Sequence, residues 1–120
     1  IPKERMEFIK RLKKDYNIYL LSNTNEIHIK KFETDLRKNN LLRGFLDCFD
    51  QIYYSFNMGM RKPDYDCFNK VLEDHNLKSH ETLFIDDSVQ HIEGAKKVGI
   101  NANLLNKEDS ILRLVPDIIQ

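Results

Sequence analysis

Four short apolar runs, each cut off by polar or charged residues, constrain this chain more than any other feature: "IYLL" (18–21), "QIYYS" (51–55), "TLFI" (82–85) and "ANLL" (102–105). Runs of four or five residues suit strands, and a buried strand in a parallel sheet reads as nearly continuous apolar sequence. Between them the period changes. Met6, Ile9, Leu12 and Tyr16 recur at helical spacing and predict a helix over about 3–15, and Ile29, Phe32 and Leu36 predict a second. The mixed stretch 39–50 supports only a short helical turn. Phe68, Val71, Leu72 and His75 mark a helix that begins near Asp64 to Asp66, acids suited to a helix N-terminus. Val89, Ile92, Ala95 and Val98 mark another, ended by Gly99, and residues 108–114 a last short helix stopped before Pro116. Strands alternating with helices at these separations predict right-handed crossovers and a parallel α/β sheet.

Composition narrows the function. Nineteen Lys and Arg balance nineteen Asp and Glu, so no basic excess favours nucleic acid or an anionic membrane. The cluster "KRLKKDY" (10–16) reads as the solvated face of an amphipathic helix. Cys48 and Cys67 lack metal-ligand spacing, and no secretory leader precedes them; both read as reduced core thiols of a cytoplasmic protein. No apolar run approaches the roughly 20 residues that span a bilayer. At 120 residues the chain supports one core, and no linker or repeat divides it.

In a parallel sheet, the polar residues just after the strands gather along one edge, where ligands bind. Three clusters qualify: Ser22 with Asn23, the turn "NMGMRKP" that carries Lys62, and Asp86 with Asp87. Two adjacent acids behind an apolar run repel each other unless a cation, donors or water relieve them. A hydroxyl, a lysine and paired carboxylates suit a phosphate. The acids can hold magnesium through oxygen, the lysine can offset phosphoryl charge, and the hydroxyl with backbone amides can donate to phosphoryl oxygens.

"LLSNTN", "GMRKPDYDCF" and "LFIDDSVQHIEGAKKVGI", in that order, resemble the second, third and fourth motifs of the haloacid dehalogenase-like (HAD) hydrolase superfamily. The wording is most similar to its glucose-1-phosphate phosphatase-like and epoxide hydrolase N-terminal phosphatase-like branch, over about residues 6–105. The resemblance implies that Ser22 donates to the transferring phosphoryl group, with Asn23 shaping its loop, and that Lys62 bridges nucleophile and phosphoryl oxygens. It implies that Asp86 and Asp87 bind Mg2+, directly or through water, with their division of labour open, and that Ser88 fixes that loop or caps the next helix. His91 stands where the branch usually has Asn; an imidazole still donates a hydrogen bond, and its protonation would make the site pH-sensitive.

The family's nucleophile, an aspartate after the first strand, has no counterpart here. "DYD" (64–66) follows Pro63 with no apolar run leading into it, and is assigned to helix N-terminal charge. The resemblance therefore implies the three-layer Rossmann-like HAD core lacking its first strand, which belongs between the strands of "TLFI" and "IYLL", and lacking the cap. Residues 1–120 are expected to be the C-terminal portion of that core, inactive or unstable without the missing N-terminal segment, whose absence leaves open strand edges. The expected parent is a magnesium-dependent phosphomonoester hydrolase acting through an aspartyl-phosphate on a small phosphorylated metabolite. Sugar phosphates lead, with nucleotide-like or flavin phosphates behind.

Singly, each site residue has a plainer explanation: Ser22 and Asn23 as turn formers, Lys62 as surface charge, Asp86 and Asp87 as helix caps. Their joint placement after three strands outweighs it. His28, His75 and His80 lack partners at metal-ligand spacing, and Phe8, Phe32, Phe68 and Phe84 read as core. A receiver domain also combines an acidic pair, a hydroxyl and a lysine, but it places the acids first. Within the superfamily, a 2-haloacid dehalogenase is disfavoured by the intact acidic pair. A non-catalytic phosphate-binding or interaction protein is disfavoured by retention of all the motif residues.

Overall fold

The computed structural model describes residues 3–106 and 111–119. The chain is α/β and divides into two units, Ile1–Gly59 and Met60–Gln120.

In the first unit, α1 (Lys3–Leu12) leads to β1 (Tyr19–Ser22), α2 (Glu26–Lys38), α3 (Leu42–Asp47), β2 (Gln51–Tyr54) and α4 (Ser55–Met58). The helical face read from the sequence is the buried one: Met6 and Ile9 of α1 and Leu36 of α2 join Phe45, Cys48 and Tyr53 in the core. Phe45 meets Phe32 and Phe49 edge-on at 5.2 and 5.4 Å, a favoured aromatic geometry. β1 and β2 pair in parallel, from Tyr19 opposite Gln51 to Ser22 opposite Tyr54. Asp50 sets that register. Its Oδ2 accepts from the Ile18 amide at 2.6 Å while its own amide donates to the Ile18 carbonyl at 2.7 Å.

The second unit holds α5 (Tyr65–Asp74), a 3₁₀ turn (Ser79–Glu81), β3 (Leu83–Asp86), α6 (Val89–Lys97), β4 (Asn101–Leu104) and α7 (Ile111–Ile119). β3 and β4 pair in parallel from Leu83 opposite Asn101 to Asp86 opposite Leu104, with α6 as the crossover packed on both. Phe68 of α5 lies edge-on to Phe84 of β3 at 5.2 Å. Gly99, at φ 89°, ends α6 as its position predicted. Its amide donates to Lys96 O and that of Ile100 to Ala95 O, the paired bonds of a Schellman stop.

Several expectations need correction. β1 and β3 are half-buried along their whole length instead of buried, because among the described residues each has a ladder partner on one side only. The run 51–55 is strand only to Tyr54; Ser55 opens α4, a single turn closed by left-handed Gly59 at φ 68°. The first helix ends at Leu12, and Tyr16 lies beyond it, half exposed. The last helix runs through Pro116 to Ile119. An interior proline costs about 3 kcal/mol, and the apolar sequence around buried Val115 outweighs it here. Positions 108–110 of the predicted span lie outside the described residues. No helix among the described residues is long and apolar enough to cross a bilayer.

Candidate active site

Asp86 is the last residue of β3 and Asp87 the first beyond it, so their side chains leave the strand end in different directions. Their environments differ. Asp86 Oδ1 accepts from Lys62 Nζ at 3.1 Å, while Oδ2 takes His91 Nδ1 at 2.5 Å and the Ser88 amide at 3.3 Å. Both of its oxygens are thereby engaged. Asp87 is exposed, with no hydrogen bond or ion pair among the described residues. The like-charge problem of the sequence is relieved on one side by a cation and on the other by exposure.

Lys62 is only 5% exposed, and a buried ammonium is tolerated where it is paired. Asp86 supplies the countercharge, and the Phe84 ring, 5.7 Å from Nζ, lies within cation–π reach. Ser88 occupies the N-cap position of α6 without a side-chain cap bond. Its amide, bonded to the carboxylate two residues back, fixes the loop instead. His91, in the first turn of α6, meets the Asp86 oxygen that Lys62 does not hold.

In the first unit, Ser22 ends β1 half-buried and Asn23 is exposed beside it. The loop is held by a residue the sequence reading had placed in a strand. Ser55 Oγ accepts from the Thr24 amide and donates to the Thr24 carbonyl, both at 2.9 Å. Asn25 then caps α2, its Oδ1 accepting from the His28 amide at 2.9 Å. Ser22, Thr24, His28 and Tyr54 share with Leu20, Ile29, Phe32 and Phe45 the wall of a cavity of about 400 Å³.

Of the expected site residues, Lys62 and Asp86 are in direct contact, with Asp87 adjacent in sequence; Ser22 and Asn23 belong to the first unit. The bond from His91 to Asp86 and the tie from Ser55 to Thr24 were not anticipated. A polar residue ending an apolar strand was the only signal for Ser55. "DYD" is at a helix start, as expected: Asp64 is the N-cap residue of α5 and Asp66 lies in its first turn. Cys48 and Cys67 are free and wholly buried. Burial pushes the Cys67 thiol up to about 11, and raises that of Cys48 as well.

No group of three His, Cys, Asp or Glu among the described residues is placed to hold a metal. Two carboxylates nonetheless fit magnesium, which keeps several waters and is bound through one or two carboxylates plus substrate phosphate oxygens. Asp87 is the outward-facing donor of the two.

Residues 3–104 match the family model described as haloacid dehalogenase-like hydrolase. A D-ribitol-5-phosphate phosphatase of Bacteroides thetaiotaomicron is 31% identical over 100 residues, covering 79% of this chain and 46% of that protein. Among solved structures, a HAD-like family hydrolase from Porphyromonas gingivalis superposes with a TM-score of 0.88 at 29% identity, over all of this chain and 58% of that one. A HAD family enzyme from Bacteroides thetaiotaomicron, in complex with magnesium and inorganic phosphate, gives 0.82 at 33% identity, over 95% and 57%. The chain thus spans about half the length of each of these three relatives.

Proposed function

Because the chain belongs to the haloacid dehalogenase-like hydrolase family, we propose that its parent protein is a magnesium-dependent phosphomonoester hydrolase acting through an aspartyl-phosphate. These residues form the C-terminal portion of its core; the aspartate nucleophile, its strand and the cap lie upstream. One observation carries the reading: a buried lysine is locked to the first of two adjacent carboxylates, while the second is exposed and makes no hydrogen bond or ion pair among the described residues. A structural ion pair would need only one acid.

Within this reading each group has a task. Lys62, oriented by Asp86, directs its ammonium charge toward the phosphoryl oxygens and the attacking carboxylate. Ser22 donates to the same phosphoryl group from a loop that Ser55 holds still. Asp87 would hold the metal directly, and Asp86, both of whose oxygens are engaged by Lys62, His91 and the Ser88 amide, would serve that site through water. Magnesium bound there would offset charge on the phosphoryl oxygens.

The substrate is a small phosphate monoester, with sugar or sugar-alcohol phosphates first. The name of the Bacteroides relative supports that class, as does the phosphate held in the related enzyme. The test is phosphate release from a panel of pentitol, hexose, nucleotide and flavin phosphates by the full protein, with magnesium and with chelator. Magnesium-dependent release from a sugar or polyol phosphate is expected. Release from none of them, or release indifferent to chelation, would overturn the reading.

A further inference from the structure

Gly94 lies in α6 with no room for a side chain. A β-carbon there would stand 2.4 Å from the Pro63 carbonyl oxygen, 3.0 Å from Pro63 Cβ and 3.2 Å from Phe68 Cε2. The Phe68 ring can tilt by a few tenths of an ångström. The carbonyl cannot yield without moving the backbone to which it belongs, and that backbone carries Lys62 on its preceding residue.

The same helix is connected to both partners of the ion pair. α6 leaves directly from Asp86, Asp87 and Ser88, and its middle receives the Pro63 carbonyl. Lys62 Nζ is 3.1 Å from Asp86 Oδ1 and 5.7 Å from the centre of the Phe84 ring, so a shift of one ångström in the Pro63 segment must be taken up by the lysine stem or lost from the bond. Helix propensity gives no reason for the glycine, since alanine is the better helix former at an interior position. We propose that Gly94 is a positioning residue for Lys62: its missing side chain lets the Pro63 backbone seat against α6, and that seating sets where the ammonium meets Asp86.

The consequence for turnover rests on the function proposed above; the placement of Lys62 does not, and it can be read without any substrate. Lysine acetylation of the full protein, followed by peptide mass mapping, should find Lys62 protected and the exposed Lys96 and Lys97 reactive. In Gly94→Ala, Lys62 should react at least about tenfold faster, as a locally opened site does, with Lys96 and Lys97 unchanged. Ile92→Val, which thins the core on the same helix, should leave Lys62 protected. Should Gly94→Ala not accumulate as folded protein, Gly94→Ala/Phe68→Leu gives the new methyl group room on its side-chain neighbour while keeping it against the carbonyl, and the same labelling applies.

Protection of Lys62 in the alanine variant, or equal exposure in Ile92→Val, would overturn the proposal. The first would mean that the loop does not depend on Gly94, the second that any loss of packing on α6 suffices. If the protein releases phosphate, Gly94→Ala should lower kcat, and should lower it no further when Lys62→Ala is already present. An additive loss would assign Gly94 to general packing. If no phosphomonoester is hydrolysed, the functional reading fails and the labelling still decides the placement.

Discussion

Two buried side chains of the second unit illustrate opposite uses of burial. Lys62 is charged and paired, so removing one partner leaves the other uncompensated in a poorly solvated place. Lys62→Ala is expected to cost about 3 kcal/mol of unfolding free energy, read from denaturant midpoints, besides its effect on turnover. Cys67 is neutral and kept neutral: burial raises it from the usual 9.0 to about 11. Between those pH values the unfolded thiol gives up its proton while the folded one keeps it. The folded state then binds more protons, and stability falls as pH rises through that window. Unfolding midpoints measured from pH 8 to 11 should therefore decline less steeply in Cys67→Ala than in the wild type. Tyr19 and Tyr54, also raised chiefly by burial, contribute the same sign in both proteins and cancel in the comparison. Asp86 and Asp87 were legible in the sequence as a pair but not as individuals. Adjacent acids look alike in a string of letters, and what separates them here is a lysine 24 positions earlier and an imidazole five positions later.

At the level of elements, the strands were legible because a four-residue apolar run ended by polar residues has few other uses in a chain with this alternation. Their limits were not. Ser55 continues the apolar run of β2 in sequence, yet it turns into α4 and spends its hydroxyl on Thr24. Nothing local signals a bond to a residue 31 positions away. Ser55→Ala removes both hydrogen bonds and leaves the Thr24 amide without that acceptor. About 1–2 kcal/mol of destabilisation follows, together with a fall in turnover as the Ser22 loop loosens. Unchanged turnover in a stably folded Ser55→Ala would mean that the loop is held by other contacts. The close approach at Gly94 was equally invisible, since a glycine within a helical pattern gives no indication of which neighbour requires it.

For the molecule as a whole, the resemblance in three motifs located the chain within its family, and the parallel ladders agree with it. β1 and β3 are half-buried, and each has one ladder neighbour among the described residues. We infer that an upstream strand covers those edges in the parent protein. Backbone amides of Leu21 and Ile85, which by alternation point away from the existing ladders, should then exchange with deuterium about a hundredfold faster in residues 1–120 expressed alone than in the full protein, as at an open edge. Equal exchange would show that the edges are not covered. Substrate choice was the least legible property, because the groups that would contact the organic part of the phosphate are not fixed by the three motifs.

The most direct measurement is turnover of the full protein at saturating magnesium with and without the Asp87→Asn substitution, on whichever sugar or polyol phosphate the wild type hydrolyses fastest. Asp87 is exposed and makes no hydrogen bond or ion pair among the described residues, so the change should leave circular dichroism and the unfolding midpoint near wild type. Phosphate release should fall at least about a hundredfold, the loss expected when a group that stabilises transition-state charge is removed. Wild-type turnover in Asp87→Asn would contradict the account at its centre, because the free carboxylate at the end of β3 would then have no part in the chemistry.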